Sequence, residues 1–116
     1  MALTFDLENL NPGKWFDFGD DGGVCLRVAP NAKIREFTRK AEKKGKVDGD
    51  LFDRLLWAYC IVDWRGIVDA AGEPIECTDE NKAILMGGAP DFSGYITEKL
   101  GELREAKLSE RELEKN

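Results

Sequence analysis

The chain has 116 residues, of which 34% are charged and 42% hydrophobic, with a formal net charge of −6 and no histidine. That length is ordinary for one domain able to bury a core without disulfide staples. The missing histidine excludes a Ser–His–Asp triad and a Cys–His nucleophile pair, and it removes the commonest general base and transition-metal ligand.

The N-terminal stretch MALTFDLENL is too acidic and too short in apolar residues to read as a secretory signal, so a cytoplasmic protein is expected. Asn11-Pro12-Gly13 is a turn signal. Two apolar-rich runs follow, residues 14–18 and 24–28, joined by Gly19-Asp20-Asp21-Gly22-Gly23, and they predict a β-hairpin with a five-residue loop. Under strand alternation Lys14, Phe16 and Phe18 share one face, with Trp15 and Asp17 on the other.

A helix is predicted over about residues 32–44, with Asn31 as its cap and Gly45 as its stop. Its apolar stripe is narrow: Ile34, Phe37 and Ala41. The next stretch, Asp48 to Asp63, organises the rest. Leu51, Phe52, Leu55, Leu56, Tyr59 and Val62 recur at helical steps, and Trp57, Ala58, Cys60 and Ile61 make most of the other face apolar too. Such a helix has to be covered on nearly all sides, by the core or by a second subunit. Its apolar run of about 12 residues is too short for a bilayer, which needs about 20. Asp48 or Asp50 caps its first turn.

Beyond it, Pro74 confines residues 71–77 to an edge segment or loop. Thr78 caps a short helix from Asp79 to Met86, which Gly87-Gly88 stops. Pro90-Asp91 opens the last helix, with Phe92, Tyr95, Ile96, Leu100 and Leu103 on its apolar side, thinning to Ala106, Leu108 and Leu113. The whole is an α+β fold, a mostly helical single domain over residues 1–116 with about four helices and an N-terminal β-hairpin; residues 104–116 are expected to form an exposed helical extension that frays.

Charge is unevenly spread. Residues 31–46 carry seven Lys/Arg against two acids, and residues 63–116 carry thirteen acids against seven Lys/Arg. This asymmetry suits head-to-tail self-association or a charged partner. The basic stretch 33–46 is the one nucleic-acid candidate, but its single aromatic, Phe37, belongs to the apolar stripe and does not interleave with the charges for base stacking, so nucleic acid is not the expected partner. The acidic loops at 17–22 and 48–50 lack EF-hand spacing, and the first also lacks the Lys-Ser/Thr of a phosphate loop. Asp63 and Asp69 flank a Trp and a Gly and are the nearest approach to a carboxylate pair, but acids in turns are usually solvated. The three cysteines, Cys25, Cys60 and Cys77, are odd in number and form no CxxC, which predicts reduced, partly buried thiols. No metal, no cofactor and no enzymatic activity are expected. Trp57 and Trp64, seven residues apart, fall near one face if the helix runs on, as core filling or as an interface anchor.

The run Ile61-Val62-Asp63-Trp64-Arg65-Gly66-Ile67-Val68-Asp69, then Gly72-Glu73-Pro74-Ile75-Glu76-Cys77-Thr78 and Glu80-Asn81-Lys82, then a Pro-Asp-Phe opening to the last helix, resembles the tail assembly chaperones of long-tailed bacteriophages and prophages. The likeness covers roughly residues 14–103. It implies a non-enzymatic protein of virion morphogenesis in the host cytoplasm, which self-associates into a homo-oligomer and binds the helical tape measure protein. The matching positions are Trp64, Gly66, Gly72 and Pro74, expected as a buried Trp, two turn glycines and a rigid bend. The expected partner or self-interface residues are Trp57, Ile61, Trp64, Lys40, Lys43 and Lys44. The alternatives are another phage tail or connector component, and a small cytosolic regulator binding nucleic acid through residues 33–46.

Overall fold

The computed structural model describes residues 4–114, with side chains described through Ala106. Strands β1 (Lys14–Phe18) and β2 (Gly22–Leu26) form the hairpin, and their register pairs Phe18 with Gly22. The loop is therefore the three residues 19–21, shorter than the sequence predicts. Gly19 sits at φ +62°, a left-handed turn position open to glycine at no steric cost.

Helix α1 spans Asn31–Ala41, with Pro30 at the capping position and no side-chain cap. Asn31 is thus the first helical residue and not the cap. Phe37 and Ala41 are buried as the stripe predicts. The chain then makes a two-residue hairpin that the sequence reading extends as helix: β3 (Glu42–Lys43) and β4 (Lys46–Val47), joined through Lys44 (φ 53°) and Gly45 (φ 78°). Positive φ at both central residues is the twist that closes a two-residue β-turn. The backbone N–H of Asp48 donates to the Ala41 carbonyl at 2.8 Å and seals the base of the turn.

Helix α2 spans Gly49–Cys60, and Asp48 caps it by accepting from the N–H groups of Asp50 and Leu51. The sequence carries this helix to Asp63; the chain instead passes directly into β5 (Ile61–Arg65). The reason is a β-bulge. β5 pairs antiparallel with β2, with Val24 opposite Trp64 and Leu26 opposite Ile61, and the register shifts between Cys25 and Leu26. One extra residue lets Ile61 and Trp64 both face inward at a three-residue step, and a three-residue apolar step in a strand imitates a helix. Trp57 and Trp64 consequently do not share a helical face.

The sheet order is β1-β2-β5. Its inner face supplies the buried centre of the protein, Val24, Leu26, Ile61 and Trp64, and Ile96 completes it from the last helix. The core therefore lies between the sheet and that helix. Of the two coverings the sequence allows for α2, by the core or by a second subunit, the core provides only a part, since Cys60 is the one buried residue of the helix. The carbonyls of its last turn are satisfied from elsewhere. Ile61 N–H donates to Trp57 O, Lys82 Nζ to Ala58 O at 3.1 Å, Arg27 Nε to Tyr59 O at 2.7 Å, and Arg27 N–H to Cys60 O at 2.9 Å. Two cations thus stand at the negative end of the helix dipole.

Residues 66–75 form a tight turn-back. Gly66 (φ +71°) leaves β5, Val68 bridges to Pro74, and Gly72 (φ +82°) makes the corner. The Asp69 carboxylate accepts from the N–H groups of Ala71 and Glu73 at 2.9 and 3.0 Å. The Trp64 indole N–H donates to the Ile75 carbonyl at 2.7 Å and pins the segment to the core. Helix α3 (Asp79–Gly88) is capped by Thr78, whose Oγ1 accepts from Asn81 N–H. Helix α4 spans Pro90–Glu114. Tyr95 donates to the Asp17 carbonyl at 2.7 Å and ties α4 to the hairpin. Beyond Leu103 the helix continues, but the side chains of Leu108 and Leu113, and residues 115–116, lie outside the described residues.

Candidate partner-binding site

Helix α2 packs on α1 at one flank and on α3 at another, while α3 in turn packs on α4. Phe37 meets Tyr59 edge-to-face, with ring centroids 5.9 Å apart, on the α1 side. On the α3 side, the Lys82 ammonium reaches the Ala58 carbonyl. α3 packs on both α2 and α4, which touch each other less than either touches α3. Between them lies a groove of about 340 Å³. Leu56 and Trp57 from α2, Met86 from α3 and Leu100 from α4 form its walls, and the fully buried Ile61 and Ile96 lie at its floor. Gly101 stands exposed beside it, with open space where a Cβ would be, and Arg104 stands at its end.

The groove is apolar in its chemistry. Cys60 contributes a thiol whose pKa burial pushes up, against smaller opposing effects from a backbone hydrogen bond and the charges of Arg27 and Arg104. It therefore lines the groove as a small neutral group and not as a thiolate nucleophile. Burial likewise raises the thiols of Cys25 and Cys77. The described cysteines are all free.

The expected interface residues separate into three environments. Trp57 and Ile61 belong to the groove. Trp64 is 6% exposed, hydrogen-bonded and edge-on to Phe92 at 5.8 Å, so it serves the core and not a contact surface. Lys40, Lys43 and Lys44 are exposed at the far side of α1 and its hairpin, well outside the groove lining. Trp64 is buried, Gly66 and Gly72 take positive φ, and Pro74 bridges to Val68 at the bend. Gly66 is the most constrained, since a Cβ there would stand 2.7 Å from Gly22 Cα and 2.8 Å from the Asp21 carbonyl oxygen.

Asp63 and Asp69 do not form a working pair. Asp63 accepts from Trp64 N–H at 2.8 Å, and Asp69 serves its own turn. Among the described residues no group of three or more His, Cys, Asp or Glu is placed to hold a metal ion, and no helix is long and apolar enough to cross a membrane. Sequence reasoning missed Met86, Leu100 and Gly101 as groove residues. The sequence places Leu100 on the apolar side of the last helix, and a glycine inside that stripe is the available signal for a place where something else approaches closely. Comparison with protein-family models, with curated proteins and with solved structures finds no match to the chain.

Proposed function

We propose that the chain is a tail assembly chaperone of a long-tailed bacteriophage or prophage: a non-enzymatic protein of the host cytoplasm that self-associates and holds the helical tape measure protein through the α2–α4 groove. The observation that carries the reading is the incomplete covering of α2. A helix apolar on nearly all sides has its residues from Leu51 to Tyr59 only partly buried or exposed, and its groove-facing side presents Leu56 and Trp57 beside Leu100. An amphipathic helix laying apolar side chains into such a groove is a recurrent mode of recognition, and a large aromatic such as Trp57 is a typical anchor for it. The resemblance through Trp64, Gly66, Gly72 and Pro74 supports the same assignment, and those residues brace the β5–α3 connection that sets the groove's walls.

The test is co-expression with a tape measure protein and affinity capture, comparing wild type with Gly101→Glu. The substitution places a charged chain over the groove in a position with open space around its Cβ, and replacing a helical glycine favours the helix by up to about 1 kcal/mol. Capture by wild type and its loss in an equally stable Gly101→Glu variant is the expected result. Equal capture by both would remove the groove from the binding surface, and no capture by wild type would remove the function.

A further inference from the structure

Two surfaces of opposite charge lie on different flanks of α2. The first is the tip made by the end of α1 and the β3–β4 hairpin. Arg39, Lys40, Lys43, Lys44 and Lys46 are exposed there, and none is in an ion pair among the described residues. Val47, 49% exposed, provides an apolar centre, and Glu42, the capping Asp48 and Asp50 are the acids nearby in the chain. The second surface is centred on Ile84 of α3, which is 59% exposed. Ile84 stands between two depressions of about 500 and 600 Å³. Asp69 and Glu76 rim the first, and Asp79 and Glu80 the second, where Arg54 is the cation among the lining residues and Lys82 Nζ lies 3.4 Å from Asp79 Oδ1.

We propose that the basic tip of one copy docks on the acid-rimmed Ile84 face of the next, with Val47 seated beside Ile84. The inference deepens the chaperone reading by giving its self-contact a surface. Charge complementarity selects a second copy as the occupant: each face is the other's counterpart in sign, and each has an exposed aliphatic residue at its centre. The two patches differ, so the contact is heterologous, and repeating it adds copies without a fixed end unless the rotation closes a ring. Because the charged groups are exposed, the contact is sensitive to salt.

The test is light scattering after size exclusion across a concentration series, at low and high salt, on three proteins. These are wild type, a basic-face reversal (Lys43→Glu with Lys44→Glu) and an acidic-face reversal (Glu76→Lys with Glu80→Lys). Wild type should gain mass with concentration and lose it with salt. Each reversal alone should weaken association by at least about tenfold, since like charges then face each other. An equimolar mixture of the two reversals should regain mass, because each reversed face meets its complement on the other protein; this rescue also shows that both variants are folded. A monomeric wild type at every concentration, wild-type association by either reversal, or a mixture that stays small would overturn the proposal. So would a basic-face reversal that keeps wild-type mass but loses a shift on duplex DNA, which would assign the tip to nucleic acid. Capture of the tape measure protein, scored in parallel at high salt, separates the two ideas. Lost capture with intact self-association rejects the function, and the converse rejects the docking surface.

Discussion

Replacing Lys82 with Met tests the most unusual polar group in the fold. Lys82 is 6% exposed, the one buried charged residue among those described. Its ammonium lies 3.1 Å from the Ala58 carbonyl oxygen and 3.4 Å from Asp79 Oδ1. The Asp79 side chain is 78% exposed, so that ion pair is worth at most about 1 kcal/mol. The bond to Ala58 matters more. It involves a charged donor, for which about 1.5–3 kcal/mol is typical, and it serves a carbonyl that α2 cannot satisfy itself, because the chain turns into β5 after Cys60. The Met side chain retains most of the aliphatic packing, so the loss isolates the ammonium. Lys82→Met should therefore destabilise by about 1.5–3 kcal/mol, or roughly 4–6 °C in Tm for each kcal/mol, whereas Asp79→Asn should cost well under half as much. Urea denaturation of both variants, followed by circular dichroism, is the assay. A Lys82→Met protein as stable as wild type would mean that desolvating the ammonium cancels its hydrogen bond, and equal losses from the two variants would show that the ion pair and not the helix end is the important partner.

Gly66→Ala should cost more than about 2 kcal/mol, because it combines a left-handed φ with backbone atoms at 2.7–2.8 Å; Gly72→Ala, also left-handed but in open space, should cost about 1 kcal/mol, and denaturation midpoints give the ranking. Trp64→Phe should lose about 1–2 kcal/mol through the unmade bond to Ile75, and Trp64→Ala about 3–5 kcal/mol through the cavity, both read by urea melts. Burial raises the thiol pKa of Cys25, Cys60 and Cys77 and the phenol of Tyr95, so the folded chain holds these protons more tightly than the unfolded one. That contribution is whole below the unfolded thiol value of about 8.5 and is lost as pH rises through the higher folded values. Under reducing conditions the urea midpoint should fall as pH is raised beyond about 8.5; a midpoint that stays level would contradict the burial of these groups.

Local chemistry was readable wherever it was written in neighbouring residues. Asp48 and Thr78 announce their helices because a cap needs only a side-chain oxygen near the first free N–H groups. The stripes in α1 and α4 and the first hairpin were legible for the same reason. What the sequence concealed depends on distant partners. The end of α2 is fixed by β2 and its bulge, and the carbonyls there are met by Arg27 and Lys82, more than twenty residues away on either side. The Lys44-Gly45 turn lacks the usual Asn-Gly signal, and its basic flanks continue a helical pattern. The groove is lined from α2, α3 and α4 together, and no residue within α2 records that arrangement. Lys40, Lys43 and Lys44 were identifiable as a charged surface, but their separation from Trp57 is a property of the topology alone.

The direct weld of α2 to β5, with no linker between Cys60 and Ile61, has a kinetic consequence. The β1–β2 hairpin closes over a three-residue loop, whereas β5 reaches β2 only after the whole of α1, the small hairpin and α2 have been gathered in. Pairing Leu26 with Ile61 is thus the long loop closure within the sheet, and it delivers the C-terminal end of α2 to Arg27 in the same event. Sheet completion and helix docking become one step in time. Truncations at Leu26 or Ile61 should slow folding, while truncations at Leu103 in the middle of α4 should mainly speed unfolding. Such a step leaves little room for a half-built sheet with an open edge.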